Sequence, residues 1–210
     1  VQRVFLRYRQ ARAAMQPRLV KVVRKLRSSG ILAEMEDTLR ELASGAEERT
    51  GWEEDAVFYQ RIHHEIGLRL EEMLAYEEFV DRPECVAELH ALRISAKHVR
   101  YGLEVFEGQY DGALTEATTA ARTLQQILGD IHDCDVWSVD LPRFIEEERR
   151  RTVEYFGQAR PMQRLLAGID ALIRDRSAHR QSSYAEFAGL WQDFRRRGVW
   201  LRLQNTLRER

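Results

Sequence analysis

The stretch LHALRISAKHVRYGLEVF, residues 89–106, carries two helical patterns at once. Its apolar residues recur at intervals of three and four, which predicts a single buried stripe along a helix. That stripe consists of Leu89, Leu92, Ala96, Val99, Leu103 and Phe106. A second set of residues, which we call the cationic row, recurs at intervals of three, four and three: His90, Arg93, Lys97 and Arg100. At about 100° per residue the row occupies an arc of about 80° beside the stripe and spans about 15 Å of helix.

The cationic row indicates a binding surface for an anion. No acidic residue interrupts it before Glu104, and like charges three or four residues apart on a helix repel each other. A bound anion would offset that repulsion, and a row of this length suits an extended polyanion better than a small one. An ordinary solvated helix face is the alternative.

Helical periodicity continues along the rest of the chain and predicts an all-α fold. The predicted helices lie at about 3–26, with a bend at Pro17, and at about 31–42, 54–78, 114–128 and 162–197. Gly129 is expected to end the fourth of these, and Gly198 to end the fifth before a short amphipathic tail. Short links between amphipathic helices favour antiparallel bundles.

Charge is distributed very unevenly along the chain, although the net charge is only −1. Residues 1–33 contain nine Lys or Arg and no acid, whereas residues 34–89 contain seventeen acids and five bases. Arg18, Lys21 and Lys25 recur at intervals of three and four, so they form a second basic line on one helix face. This line either forms a second wall of a basic groove or is neutralised by acids on neighbouring helices.

Composition places the chain among soluble helical proteins. Hydrophobic residues make up 44% and charged residues 32%, which excludes a disordered polypeptide. No run of eighteen apolar residues predicts a transmembrane helix, and the N-terminus lacks the apolar block of a signal peptide. Cys85 and Cys134 stand alone, which favours a reducing compartment. We therefore expect a cytoplasmic protein with no membrane partner.

The cationic row and a second segment together resemble the CHAD family, the conserved histidine α-helical domain. The first part of the pattern is matched by Leu89, His90, Leu92, Arg93, Ile94, Lys97, Arg100, Tyr101 and Glu104. The second part, about twenty residues later, is matched by Leu124, Gln125, Leu128, Gly129 and Asp133. Residues 8–42 and 163–197 also look like helices of such a domain, so the resemblance covers most of the chain.

The resemblance implies two four-helix-bundle halves related by a pseudo-twofold axis. It also implies non-catalytic binding of inorganic polyphosphate, and polyphosphate granules as a candidate location. We assign residues 1–80 to the first bundle and its connections and residues 81–210 to the second bundle. The first copy of the family's His/Arg motif is not found, so we expect an incomplete first half.

Eight residues form the predicted polyphosphate-binding set, and we expect no cofactor, no metal and no catalytic residue. They are His90, Arg93, Lys97, Arg100, Arg122, Arg18, Lys21 and Lys25. Arg122 is included because it occupies the basic position just before Leu124 and Gln125 in the family pattern. We also expect His90 to strengthen binding at mildly acidic pH, if the polyanion raises its pKa.

Two other functions remain open at this point. His98, His132 and Asp133 could contribute to an HD-type metal-dependent phosphohydrolase, a fold that is also helical. The acids and the histidine of residues 129–135 invite a metal interpretation, but we favour a helix end followed by capping acids. A basic groove would also attract nucleic acid, although the basic residues lack interleaved exposed aromatics for base stacking.

Overall fold

The computed structural model describes residues 2–47 and 56–209, and these residues form helices, turns and no strands. The helices, numbered in chain order, are α1 (Gln2–Ser28), α2 (Ile31–Glu47), α3 (Ala56–Leu74), α4 (Val86–Phe106), α5 (Thr115–Phe156), α6 (Gln163–Arg196) and α7 (Val199–Arg208). The predicted all-α fold is therefore confirmed. The start of the predicted third helix, residues 54 and 55, lies outside the described residues.

The chain divides into two compact units, residues 1–54 and 55–210. The first unit contains α1 and α2, which are joined at Ser29 and Gly30. Helix α1 continues through Pro17 without interruption. Gly30 has a φ of 78°, a left-handed conformation that ends α1 at little energetic cost because glycine has no Cβ. The predicted boundary after residue 80 stays a prediction.

The second unit is a bundle of α3 to α7. Helix α4 packs against α3 on one side and α5 on the other, α5 packs against α6, and α7 contacts α3, α5 and α6. The apolar stripe of α4 is buried as predicted, because Leu92, Ala96, Val99 and Leu103 have no exposed surface. The exception is Phe106, which is only partly buried at the edge of the core. The core thus fixes which face of α4 is turned outward.

The predicted helix end at Gly129 is wrong. Helix α5 continues from Thr115 to Phe156 through both Gly129 and Pro142. A glycine in a helix costs only about 1 kcal/mol relative to alanine, and tertiary packing overrides that preference. Pro142 is exposed, so the carbonyl oxygen that loses its amide partner there lies on the solvent side. The helix ends instead at Gly157, whose φ is 73°.

Two side chains of α6 fasten the loop that precedes α4. The Arg180 guanidinium donates to the Asp135 carboxylate on α5 at 2.5 Å and to the backbone oxygen of Pro83 at 2.8 Å. The Tyr184 hydroxyl donates to the backbone oxygen of Val80 at 2.5 Å. These contacts tie the start of α4 to α5 and α6, and so fix the position of the cationic row. Among residues 2–47 and 56–209, no helix has the length and apolarity needed to cross a membrane.

Candidate polyanion-binding site

The cationic row lies along α4 at the edge of the bundle core. His90, Arg93, Lys97 and Arg100 are all half-buried, between the buried stripe and solvent. Part of each side chain is covered by the protein, and the Nδ1 of His90 and the Nε atoms of Arg93 and Arg100 are buried. The row therefore has a defined geometry rather than four freely moving side chains.

Helix α5 runs antiparallel to the cationic row and lies directly beside it. The rings of His90 and His132 are 4.2 Å apart between centroids, with their planes inclined by 35°. One turn further along α4, the Nε of Arg93 lies 3.5 Å from the position that a Cβ on Gly129 would take. A step of three residues forward on α4 thus matches a step of three backward on α5, as antiparallel helices require.

The same matching places Lys97 at the level of Gln125 and Arg100 at the level of Arg122. At the latter level Glu104 joins the two helices, because its Oε1 accepts from Arg100 at 3.2 Å and from Arg122 at 2.9 Å. The Arg100 side chain is 18% exposed and that of Arg122 is 56% exposed. Arg122 therefore lies beside the row, joined to it through Glu104.

The centre of the row has no internal counter-ion. Within the part of the chain that the structure describes, neither Arg93 nor Lys97 has a carboxylate within ion-pair distance. The positions that face them on α5 carry Gly129 and Gln125, which are uncharged. Two cations side by side with no acid between them give this part of the surface a positive charge that attracts an anion.

Burial and two neighbouring groups change the pKa of His90. Burial, the nearby His132 ring and the Arg93 cation all lower the pKa of His90 from its ordinary value of 6.5. Each factor makes a positive imidazole less favourable at this position. His90 is therefore neutral at pH 7 when no anion is bound.

Several buried polar atoms of the site have no hydrogen-bond partner within the described residues. They are the Nδ1 of His90, the Nε of Arg93, the Nε of Arg100 and the Oε1 of Gln125. Buried polar atoms are usually paired, so a cluster of unpaired ones marks a place where folding energy has not been optimised. Such places are typical of functional sites.

The other predicted binding residues, Arg18, Lys21 and Lys25, lie on α1 in the first unit. All three side chains are exposed, and within the described residues none of them forms an ion pair. They are thus not neutralised by α2, although α2 carries several acids. The predicted groove with two basic walls stays a prediction.

The metal interpretations find no ligand cluster in the described residues. In residues 2–47 and 56–209, no group of three or more His, Cys, Asp or Glu side chains is placed to hold a metal ion. The proposed HD-type ligands His98, His132 and Asp133 are therefore not brought together. The capping role that we favoured for residues 129–135 is also wrong, because these residues lie inside α5.

One of three comparisons with known proteins gave a match. A family model described as the CHAD domain matches residues 1–142. The chain belongs to the CHAD family. This family is associated with polyphosphate binding in general. The comparison with curated proteins and the comparison with solved structures found no match.

Sequence reasoning placed Arg122 in this CHAD site but did not recognise the rest of the α5 face as part of it. Arg122, Gln125, Gly129 and His132 recur at intervals of three, four and three, which is the spacing of the cationic row itself. This repeat was available in the sequence, but it becomes visible only when the helix is continued through Gly129. Glu104 was seen as the end of the row and not as the group that joins Arg100 to Arg122.

Proposed function

We propose that this protein binds inorganic polyphosphate along the cationic row of α4 and the facing side of α5, without catalysis. The observation that carries this proposal is the absence of any carboxylate beside Arg93 and Lys97 in the described residues, together with uncharged partners on α5. A phosphate chain would supply the missing negative charge. Arginine offers paired N–H donors to phosphate oxygens, and lysine offers a mobile point charge.

The length of the row favours a polymer over a single phosphate. From the level of His90 to the level of Arg100 the row rises about 15 Å, which several linked phosphates can follow. Neighbouring phosphates of one chain then bind at high effective concentration, so affinity should increase with chain length. Cytoplasmic polyphosphate, including granules, is the ligand source that we propose.

The direct test compares wild-type protein with the Arg93→Ala/Lys97→Ala double variant in a titration with long-chain polyphosphate. We expect the affinity to fall by at least about tenfold, because two phosphate contacts are lost from the centre of the row. The control is Arg164→Ala/Arg174→Ala, which removes the same charge from exposed positions on α6. Equal binding by the first variant and wild type, with helicity unchanged by circular dichroism, would refute the site.

Single-stranded nucleic acid is a second candidate ligand, and one observation favours it. Tyr101 is 48% exposed, and the Arg100 guanidinium lies 4.5 Å from the centroid of its ring. An exposed aromatic therefore does lie beside the row, contrary to our expectation from the sequence, and bases stack on such rings. Competition between long polyphosphate and single-stranded RNA at one salt concentration separates the two ligands. Tyr101→Leu should weaken only RNA binding.

A further inference from the structure

His132 is a part of the site that the sequence analysis did not assign to anion binding. Its ring lies 4.2 Å from that of His90, centroid to centroid, and the two rings come from different helices. They occupy the end of the cationic row opposite to Glu104. The pair therefore brings two titratable groups to a surface that otherwise carries permanent charges.

The surroundings of His90 favour its neutral form in the free protein. The charged or titratable groups that act on His90 are Arg93 on its own helix and His132 on α5. Asp130 and Asp133 are exposed neighbours of His132 on α5. Neither of them accepts a hydrogen bond from an imidazole in the described residues. The Nδ1 of His90 is buried and has no partner there. Within the described residues, neither ring is thus hydrogen-bonded to a carboxylate.

We propose that His90 and His132 together take up one proton when polyphosphate binds, so that the site binds the polymer more tightly as the pH falls. This inference rests on the proposed function. The proton comes from solvent, and one ring becomes an imidazolium that donates to a phosphate oxygen. The second ring stays neutral, because two positive rings at this separation would repel each other. The negative charge of the phosphate chain offsets the repulsion between Arg93 and the imidazolium.

Calorimetric titration of the whole chain with long-chain polyphosphate measures this proton directly. The titration is run at about pH 6 in two buffers whose heats of ionisation differ, because the difference in observed heat counts the protons taken up. Long chains are used because their internal phosphates do not titrate in this range. We expect an uptake that approaches one proton per binding site, and an affinity about tenfold higher at pH 6 than at pH 8.

The double variant His90→Asn/His132→Asn should lose most of the proton uptake and bring the affinities at the two pH values to within about threefold, because neither ring is left to take the proton. His179→Asn serves as the matched control, since His179 is exposed on α6, and it should behave like wild type. Loss of the uptake in the control as well would overturn the assignment to this pair. If this variant fails to fold, His90→Gln/His132→Gln replaces it in the same titration.

The outcomes also separate this inference from the proposed function. Tight binding with equal affinity at both pH values, and with heats that do not depend on the buffer, would overturn the proton uptake and leave polyphosphate binding intact. Absence of polyphosphate binding at either pH would overturn the proposed function itself. Proton uptake that persists in the double histidine variant would assign the proton to other groups and contradict the role of His90 and His132.

Discussion

Gly129 shows how one residue shapes the site. The Arg93 side chain crosses α5 at this glycine, with its Nε 3.5 Å from where a Cβ would lie. That distance is an ordinary van der Waals contact for a methyl group but leaves no room for a larger side chain. The glycine therefore permits the close approach of a basic side chain to the neighbouring helix.

Two substitutions at Gly129 should therefore have opposite effects. Gly129→Ala should raise the free energy of unfolding by about 0.5–1 kcal/mol and leave polyphosphate affinity unchanged, because alanine is the better helix former and its methyl group fits. Gly129→Leu should displace the Arg93 guanidinium and weaken polyphosphate binding. Chemical unfolding and a binding titration on both variants check this prediction. Equal affinity of the leucine variant and wild type would contradict it.

His90 should make the stability of the free protein depend on pH. Its pKa is lowered in the folded state from an ordinary value of 6.5, chiefly by burial, so near and below that pH the unfolded chain binds more protons. The stability that His90 contributes is then fully present above pH 6.5 and is lost as the pH falls toward the lowered pKa. Urea unfolding between about pH 7.5 and pH 5.5 should show a smaller loss in His90→Asn than in wild type or His179→Asn. An equal loss in all three would contradict this account.

At the scale of elements, the antiparallel pair of α4 and α5 forms the site. Each helix presents one face with the same three, four, three spacing, and Glu104 ties the two faces together at one end. Because this carboxylate neutralises Arg100 and Arg122 in part, it limits the positive potential at that end of the row.

Removal of the Glu104 charge should therefore strengthen binding. Glu104→Gln should raise polyphosphate affinity about two- to fivefold at low salt, since one negative charge a few ångströms from the phosphates is lost. The change in stability should stay below about 1 kcal/mol because the ion pairs are partly exposed. Glu186→Gln, which alters an exposed acid on α6, is the control for overall charge. Weaker binding by Glu104→Gln would show instead that Glu104 is needed to orient the two arginines.

The attachment of the loop before α4 gives a prediction about stability. Arg180 is 19% and Asp135 is 12% exposed in their ion pair, so Arg180→Ala leaves a mostly buried carboxylate without its partner and frees the oxygen of Pro83. We expect a loss of about 1–3 kcal/mol in the free energy of unfolding. Arg176→Ala is the comparison, because its pair with Asp175 is more exposed and should cost less than about 1 kcal/mol. Similar losses in the two variants, measured by urea unfolding, would contradict the role of Arg180.

Sequence periodicity predicted the buried face of α4 correctly but misplaced the end of α5. The stripe of α4 is long and uninterrupted, so burial of that face was determined by local pattern alone. The end of α5 was misplaced because glycine and proline indicate only the local preference of the chain for a helix. The packing of Arg93 over Gly129 involves a residue 36 positions earlier in the chain, which local sequence does not show. The pairing of His90 with His132 was out of reach for the same reason, since it requires the register between two helices.

At the scale of the whole molecule, the chain combines two units of different character. The first unit concentrates basic residues on α1 and acidic residues on α2, while the second carries the row whose central cations have no counter-ion in the described residues. Composition showed this asymmetry correctly, and the net charge of −1 concealed it. Composition cannot show which of these basic residues contact the same ligand, because that depends on the tertiary structure.

The salt dependence of polyphosphate affinity tests the central claim most directly. Wild-type protein and Arg93→Ala/Lys97→Ala are titrated with long-chain polyphosphate over a series of salt concentrations. If the row displaces counter-ions from the polymer, the logarithm of affinity falls linearly with the logarithm of salt, with a slope of about −3 or steeper in wild type and shallower by about 1.5 in the variant. A wild-type slope near zero, or identical slopes for the two proteins, would contradict the claim that these cations hold the phosphate chain.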